Sequence, residues 1–337
     1  ASDVYKRQEY ASIRVTGRNR FDEVRNWWHK QLEGFAIANT LQGSGTGPVL
    51  FTSFSFDRNE ESVALIPKVI IGKKGDKSWI TWIGDGPQPT LNEISPVTTD
   101  AKFSWSPGTL TEEEWKNRVA LAIAKIDSGA IEKVVLARDL LAITDSAIDS
   151  PAILRRLAEN YPATWVFSVA GLIGATPELL LRLSRGMVTS RVLAGTIPKT
   201  GDDAKDLALA ASLARSSKDL EEHEFAVRSV AEALEPFCSS TNVPDAPFVL
   251  HLANVMHLAT DVTGAIIESK ENVDAFSLLK SLHPSAAVCG TPRNKAFDVI
   301  EEIEGMNRGR YAGPVGWIDA RGDGELGIAL RSGQVKE

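Results

Sequence analysis

Cysteine is nearly missing from this chain. The two that occur, Cys238 and Cys289, lie far apart without metal-ligand spacing, so the plain reading is two reduced thiols in a cytoplasmic protein. A basic excess is missing too. Lys and Arg number 37 against 44 Asp and Glu, a net charge of −7, so no global field favours nucleic acid, although a cleft can still be locally basic and bind anions. No apolar run is long enough to span a membrane and no secretory signal opens the sequence, so neither a membrane nor a nucleic-acid partner is expected. "GKKGDKS" lacks the Gly-Lys-Ser/Thr spacing of a phosphate loop and reads as a polar hairpin turn. No repeat of about 20–50 residues stands out, and no Pro/Gly/Ser-rich linker separates two halves.

What is present is ordinary for a globular protein: 43% hydrophobic and 24% charged residues over 337 positions. "DVYKRQ" near the start reads as a translated sequencing adapter, so residues 1–8 are set aside and residues 9–337 are expected to form one domain. Phe21–Leu32 has helical apolar spacing; Pro48–Phe56, Ser62–Gly72 and Ser78–Gly84 read as strands, and Pro87–Asp100 as a connector. Thr111 and Glu114 form a capping-box pattern for a helix that Gly129 ends. "IEKVVLARDLLAI" reads as a strand and "SPAILRRLAENY" as a helix. A run of strands leads to "LAGT", and helices follow over Asp202–Ala214 and Lys218–Glu235. The alternation continues to Arg331. The expected class is α+β, a single large domain of antiparallel sheets with helices packed outside.

"SSKDLEEHEF" concentrates four carboxylates and a histidine in ten residues. On a helix, Leu220, His223, Val227, Val230 and Leu234 share one stripe. Glu221 and Glu224 then face solvent, while Glu222 stands at the edge of the buried face. Spacing alone favours a solvated face, and a single carboxylate is a poor metal site. Lys133 in "IEKVVLAR" is either an edge-strand lysine facing water, which spacing favours, or an inward lysine whose burial makes it a base. Glu178 in "GATPELLLR" is either a surface glutamate or a desolvated general acid. "LHPSAAVCGTPR" is a small-residue loop, and "YAGPVGWIDARGDGELGIALR" a hairpin ending on Arg331, a candidate carboxylate clamp.

The motifs "KVVLAR", "GATPELLLR", "LAGT", "SSKDLEEHE", "HPSAAVCGTPR" and "YAGPVGWID…GDGE…ALR" occur together in the order found in chorismate-utilising enzymes. From about Gly129 to Arg331 the chain resembles that family, and within it the isochorismate synthases. The resemblance implies an anthranilate synthase component I-like fold and a set of roles. Lys133 is the base that activates water, Glu178 the acid opposite it, and His257 the active-site histidine. Gly195, Thr196 and Ala287 line the substrate, Tyr311 and Arg331 stand near its carboxylates, and Glu222 binds Mg²⁺. Chorismate is the implied substrate. Ammonia-using relatives lack the lysine, so no glutamine amidotransferase subunit is implied, and a monomer is expected. Salicylate synthase, which keeps the lysine and then eliminates pyruvate, is the alternative; the "HPSAAVCG" and "GWID…GDGE" wording favours isochorismate synthase. The family continues past "RSGQVKE" with a second Mg²⁺ carboxylate and a substrate lysine. The domain is therefore expected to be C-terminally truncated, and an inactive fragment is the third reading. The product could serve siderophore, menaquinone or salicylate synthesis.

Overall fold

Strand β1 (Glu9–Val15) precedes helix α1 (Arg20–Glu33), whose Phe21, Val24 and Trp28 recur at helical spacing and are buried. The structure, a computed structural model, describes residues 9–87, 90, 102–267 and 273–336. The expected adapter at 1–8 and most of the expected connector at 87–100 lie outside them. Strands β2 (Val49–Ser53), β3 (Ser62–Pro67), β4 (Val69–Lys74) and β5 (Lys77–Trp82) follow. The strand expected over Ser62–Gly72 is therefore two, which belong to different sheets. Pro67 ends β3 because it has no N–H to continue a ladder. The polar "GKKGDKS" is the turn of the β4–β5 hairpin, as expected.

Strand β6 (Phe103–Pro107) leads to helix α2 (Glu112–Asp127), which starts on the expected Thr111/Glu114 capping box. Gly129, at φ 73°, takes the left-handed turn beyond its end. The strand expected over "IEKVVLARDLLAI" breaks into β7 (Lys133–Val134) and β8 (Leu140–Thr144). Between them the backbone turns to tertiary partners. The Val135 carbonyl accepts from Arg308 at 2.7 Å, and the Ala137 amide donates to Glu304 at 2.8 Å. Helix α3 (Ser150–Asn160), strands β9 (Trp165–Val169), β10 (Leu172–Thr176), β11 (Leu179–Ser184) and β12 (Met187–Pro198), and helices α4 (Asp203–Leu213) and α5 (Ser217–Leu234) come next. Then follow β13 (Cys238–Asn242), β14 (Phe248–His251), β15 (Val255–Ile266), α6 (Ala275–Leu282), β16 (Gly290–Thr291), α7 (Arg293–Ile303), β17 (Pro314–Asp319), β18 (Gly324–Ile328) and β19 (Ser332–Gln334).

The main sheet is ten-stranded and antiparallel, in the order β1-β3-β2-β17-β18-β11-β12-β15-β13, with β14 also on β15. Helices α1, α6 and α5 lie across one face. Their Trp28, Val230, Leu234, Leu278 and Leu279 close a core with Leu50, Leu181 and Val262 of the sheet. The small sheet β19-β10-β9 packs on the other side, joining Val169 and Leu172 to Val315. The class is α+β, as expected. Cys238 and Cys289 are buried and form no disulfide. Among the described residues no helix is long and apolar enough to cross a membrane.

Candidate active site

Glu178 sits where β10 hands over to β11. Pro177 interrupts the ladder, and the Glu178 carbonyl is tied by the Ile328 amide at 3.1 Å. The residue is 5% exposed. Burial lifts its carboxyl to about 8, against the opposing pull of the Lys133 and Arg331 charges. At neutral pH it therefore holds a proton that it can give away, which is the desolvated reading of the two open from sequence.

Lys133 faces inward, not toward water. Its side chain is 14% exposed, and its Nζ lies 3.1 Å from Glu222 Oε1. The strand that carries it pairs with β16, Thr291 opposite Lys133. On α5 the carboxylates sort as expected: Glu221 and Glu224 are exposed, and Glu222 is half-buried at the border. The buried stripe differs in detail, being His223, Ala226, Val230, Ala233 and Leu234, with Leu220 and Val227 half-buried. Two alanines on that face let the helix approach β12 closely. His223 Nδ1 meets the Ala194 carbonyl at 3.2 Å, and Nε2 meets Thr260 Oγ1 at 2.7 Å. A carbonyl only accepts, so Nδ1 carries the proton and Thr260 donates to Nε2. This pair of bonds fixes the turn of α5 that carries Glu222.

Strand β12 bulges at Gly195, where the β12–β15 register shifts and φ is 80°. A Cβ there would stand 3.1 Å from the Asp219 Cβ and 3.3 Å from Leu258. The bulge presents Thr196 to His257, whose Nδ1 lies 2.8 Å from Thr196 Oγ1. On the other side of the ring, Arg331 Nη2 lies 2.9 Å from Nε2. A guanidinium has no acceptor, so Nε2 is unprotonated and Nδ1–H donates to Thr196. Burial, and then the Arg331 charge, push the imidazole down to about 4, which keeps it neutral at physiological pH. Thr196 is left with its own hydroxyl proton to give to a ligand. Arg331 itself has φ 49°, a left-handed conformation unusual outside glycine, between β18 and β19.

Tyr311 has its phenol pushed up by burial, within range of the Glu178 and Arg331 charges. Ala287 lines a small cavity of about 10 Å³ together with Glu178, Ser190 and Ser285. A larger cavity, 590 Å³, opens on Arg331 between the Tyr161–Thr164 turn and the Leu252–Asn254 turn. All nine residues singled out in the sequence thus fall in one linked constellation. Glu178 is its hub, with Lys133 and Glu222 on one side and Arg331, His257, Thr196 and Gly195 on another. Sequence reasoning missed Thr260, Glu304 and Arg308. For the last two the only local signal was a Glu and an Arg four residues apart.

Whether the site suits Mg²⁺ depends on its donors. Among the described residues no group of three or more His, Cys, Asp or Glu side chains stands close enough to hold an ion. Glu222 is one partly exposed carboxylate at the cleft border, and Asp219 lies one turn earlier on the same helix. Mg²⁺ commonly uses one or two carboxylates and takes its other ligands from water and an anionic substrate. The residues present fit that arrangement and no richer one.

A sequence profile described as chorismate binding enzyme matches residues 89–337. Isochorismate synthase MenF of Bacillus subtilis is 31% identical over 349 residues, covering 94% of this chain and 74% of that protein. Isochorismate synthase DhbC of the same organism is 36% identical over 236 residues, 67% of this chain and 59% of that one. Among solved structures, a Bacillus anthracis protein described as a 2,3-dihydroxybenzoate-specific isochorismate synthase superposes with a TM-score of 0.78. It is 30% identical and covers 98% of this chain and 82% of its own. Anthranilate synthase component I of Streptococcus pneumoniae reaches a TM-score of 0.69 at 21% identity, over 96% of this chain and 72% of that one, a likeness of fold.

Proposed function

The chain belongs to the chorismate-binding enzyme family, and from that premise we propose that it is an isochorismate synthase, an isomerase acting on chorismate. The observation that carries the reading is Glu178, a carboxylic acid holding its proton up to about pH 8 within electrostatic reach of an inward-facing lysine. Chorismate is a dianion with a ring hydroxyl at C4. Lys133 takes a proton from water as the water oxygen bonds to C2. Glu178 gives its proton to the C4 hydroxyl, which leaves as water, and the ring double bonds shift between the two carbons. The Glu222 carboxylate lies 3.1 Å from the Lys133 Nζ, so Lys133 can reach a substrate-side water only when Glu222 is engaged elsewhere. Glu222 and Asp219 would hold Mg²⁺, which when bound would supply positive charge for an anionic substrate carboxylate. Arg331 and the Thr196 hydroxyl offer donors to the anionic groups, and His257 holds both in place without adding charge.

Lys133 is the water-activating group of this reading, so no amidotransferase subunit enters it. Two buried free thiols accord with a reducing cytoplasm, and a monomer is what the family resemblance implies. The test is a chorismate assay with and without Mg²⁺, with products separated by chromatography. Isochorismate formed only with Mg²⁺ is expected. Salicylate with pyruvate would move the reading to salicylate synthase, and chorismate left untouched by this chain and by a longer one would reject it. The same assay on a chain extended at its C-terminus to the length of its relatives separates a wrong reaction from an incomplete site. Glu222→Ala is expected to raise the Mg²⁺ concentration needed for half-maximal turnover by about tenfold or more, and an unchanged titration would remove Glu222 from the metal site.

A further inference from the structure

We infer that Arg308, locked to Glu304, is the positioning residue that sets where Lys133, Ala287 and Tyr311 stand relative to Glu178. The two side chains are 3% and 1% exposed. Arg308 takes Glu304 in a fork, Nε to Oε1 at 2.6 Å and Nη2 to Oε2 at 2.5 Å. Two further N–H groups go to backbone. Nη1 reaches the Val288 carbonyl at 2.9 Å and Nη2 the Val135 carbonyl at 2.7 Å. Glu304 Oε2 in turn accepts from the Ala137 amide at 2.8 Å. The ring of Phe56 lies against the guanidinium, 4.2 Å from centroid to Cζ.

These bonds join three segments that each carry a site residue. Val135 is two residues past Lys133, and Val288 follows Ala287. Tyr311 lies one turn beyond Arg308, its amide bonded to the Arg308 carbonyl at 2.9 Å. The strand bearing Lys133 is too short to fix its own place. Its ladder with β16 has two paired residues, extended by the Glu132 amide to the Thr291 carbonyl and the Val135 amide to the Cys289 carbonyl. Arg308 closes the open end of that ladder by binding one carbonyl from each side. A lysine would keep the charge but could not hold a carboxylate fork and two diverging carbonyls together. The catalytic consequence rests on the isochorismate synthase reading; the joint itself does not.

Native-state amide hydrogen exchange on the whole chain tests the joint first. In the unaltered protein the Val135, Ala137 and Tyr311 amides are expected to open as one unit, with one dependence on denaturant. Separate openings would overturn the proposal, and this arm needs no variant to fold. In Arg308→Lys, exchange at Glu132 and Val135 is expected to rise about tenfold or more, while β12–β15 amides change by less than about twofold. Uniform acceleration, or none, would reduce the pair to general stability. With chorismate, Arg308→Lys is expected to lower kcat about tenfold or more with KM within about twofold, because the misplacement is felt at the reacting atoms. A raised KM with unchanged kcat would overturn the positioning role. If the unaltered chain turns over no chorismate even when extended, the functional reading falls and the exchange result still decides the joint.

Discussion

Glu178 keeps its proton because the residues around it exclude water, and the nearby Lys133 and Arg331 only partly offset that burial. An amide of the same shape keeps the packing and removes the proton. Glu178→Gln is therefore expected to abolish isochorismate formation while leaving the fold intact, and Lys133→Ala likewise; chorismate turnover and far-UV circular dichroism check both. A variant with the unaltered rate would lose the role assigned here. Glu178→Gln is also expected to raise stability at pH 8 and above, where the unaltered chain must bury an anion. The gain is bounded by about 4–5 kcal/mol, the cost of a shift from 4.5 to about 8.

At the scale of elements, β7 and β16 show how a short ladder can matter more than a long one. Gly290 allows it: a Cβ there would lie 2.1 Å from the Lys133 carbonyl oxygen, and its φ of 144° is one that side chains rarely adopt. The obstacle is backbone, so it cannot swing aside as a flexible side chain would. Gly290→Ala is expected to cost about 2–4 kcal/mol and to strip protection from the Val135 amide, since the lysine strand must move. Urea titration and hydrogen exchange read the two effects. Helix α2 provides the contrast. Its Thr111/Glu114 box is exposed and its bonds stay within the first turn, so Thr111→Ala is expected to cost about 1 kcal/mol and leave chorismate turnover unchanged.

Over the whole molecule, the buried histidines and Glu178 act on the pH dependence of stability in opposite senses. His257 and His283 are pushed down to about 4 and about 3, chiefly by burial, and burial lowers His223 as well. Between those values and 6.5 the unfolded chain binds protons that the folded one does not, so stability rises with pH. Glu178, raised to about 8, acts in the opposite sense: from 4.5 upward the folded chain holds a proton that the unfolded one has released. The three rising histidine contributions outweigh the falling one until the unfolded histidines lose their protons just above about pH 6.5, and beyond that Glu178 dominates. Tm is expected to peak near about pH 6.5–7 and to fall toward pH 8, and Glu178→Gln is expected to flatten that falling limb. A falling limb that survives the substitution would place the titrating group elsewhere.

Local chemistry decided much of this protein in advance. The Thr111 cap, Gly129, the apolar spacing of α1 and α5, and the β17–β18 hairpin are short-range effects of residues on their own backbone, so they were legible in the chain. The border position of Glu222 followed from helical periodicity in the same way. The roles of Lys133 and Glu178 were legible only through the ordered motifs, because spacing by itself favoured solvent-facing side chains for both. Tertiary structure decided the rest. It split "IEKVVLARDLLAI" in two, because Arg308 and Glu304, far along the chain, claim the backbone groups that a continuous strand would have paired. It filled the α5 stripe with Ala226 and Ala233, because the distance to β12 is set by the sheet. It also made His257 neutral and Glu178 acidic near neutral pH, since a pKa depends on the water and charge around a group, and only the folded chain supplies those surroundings.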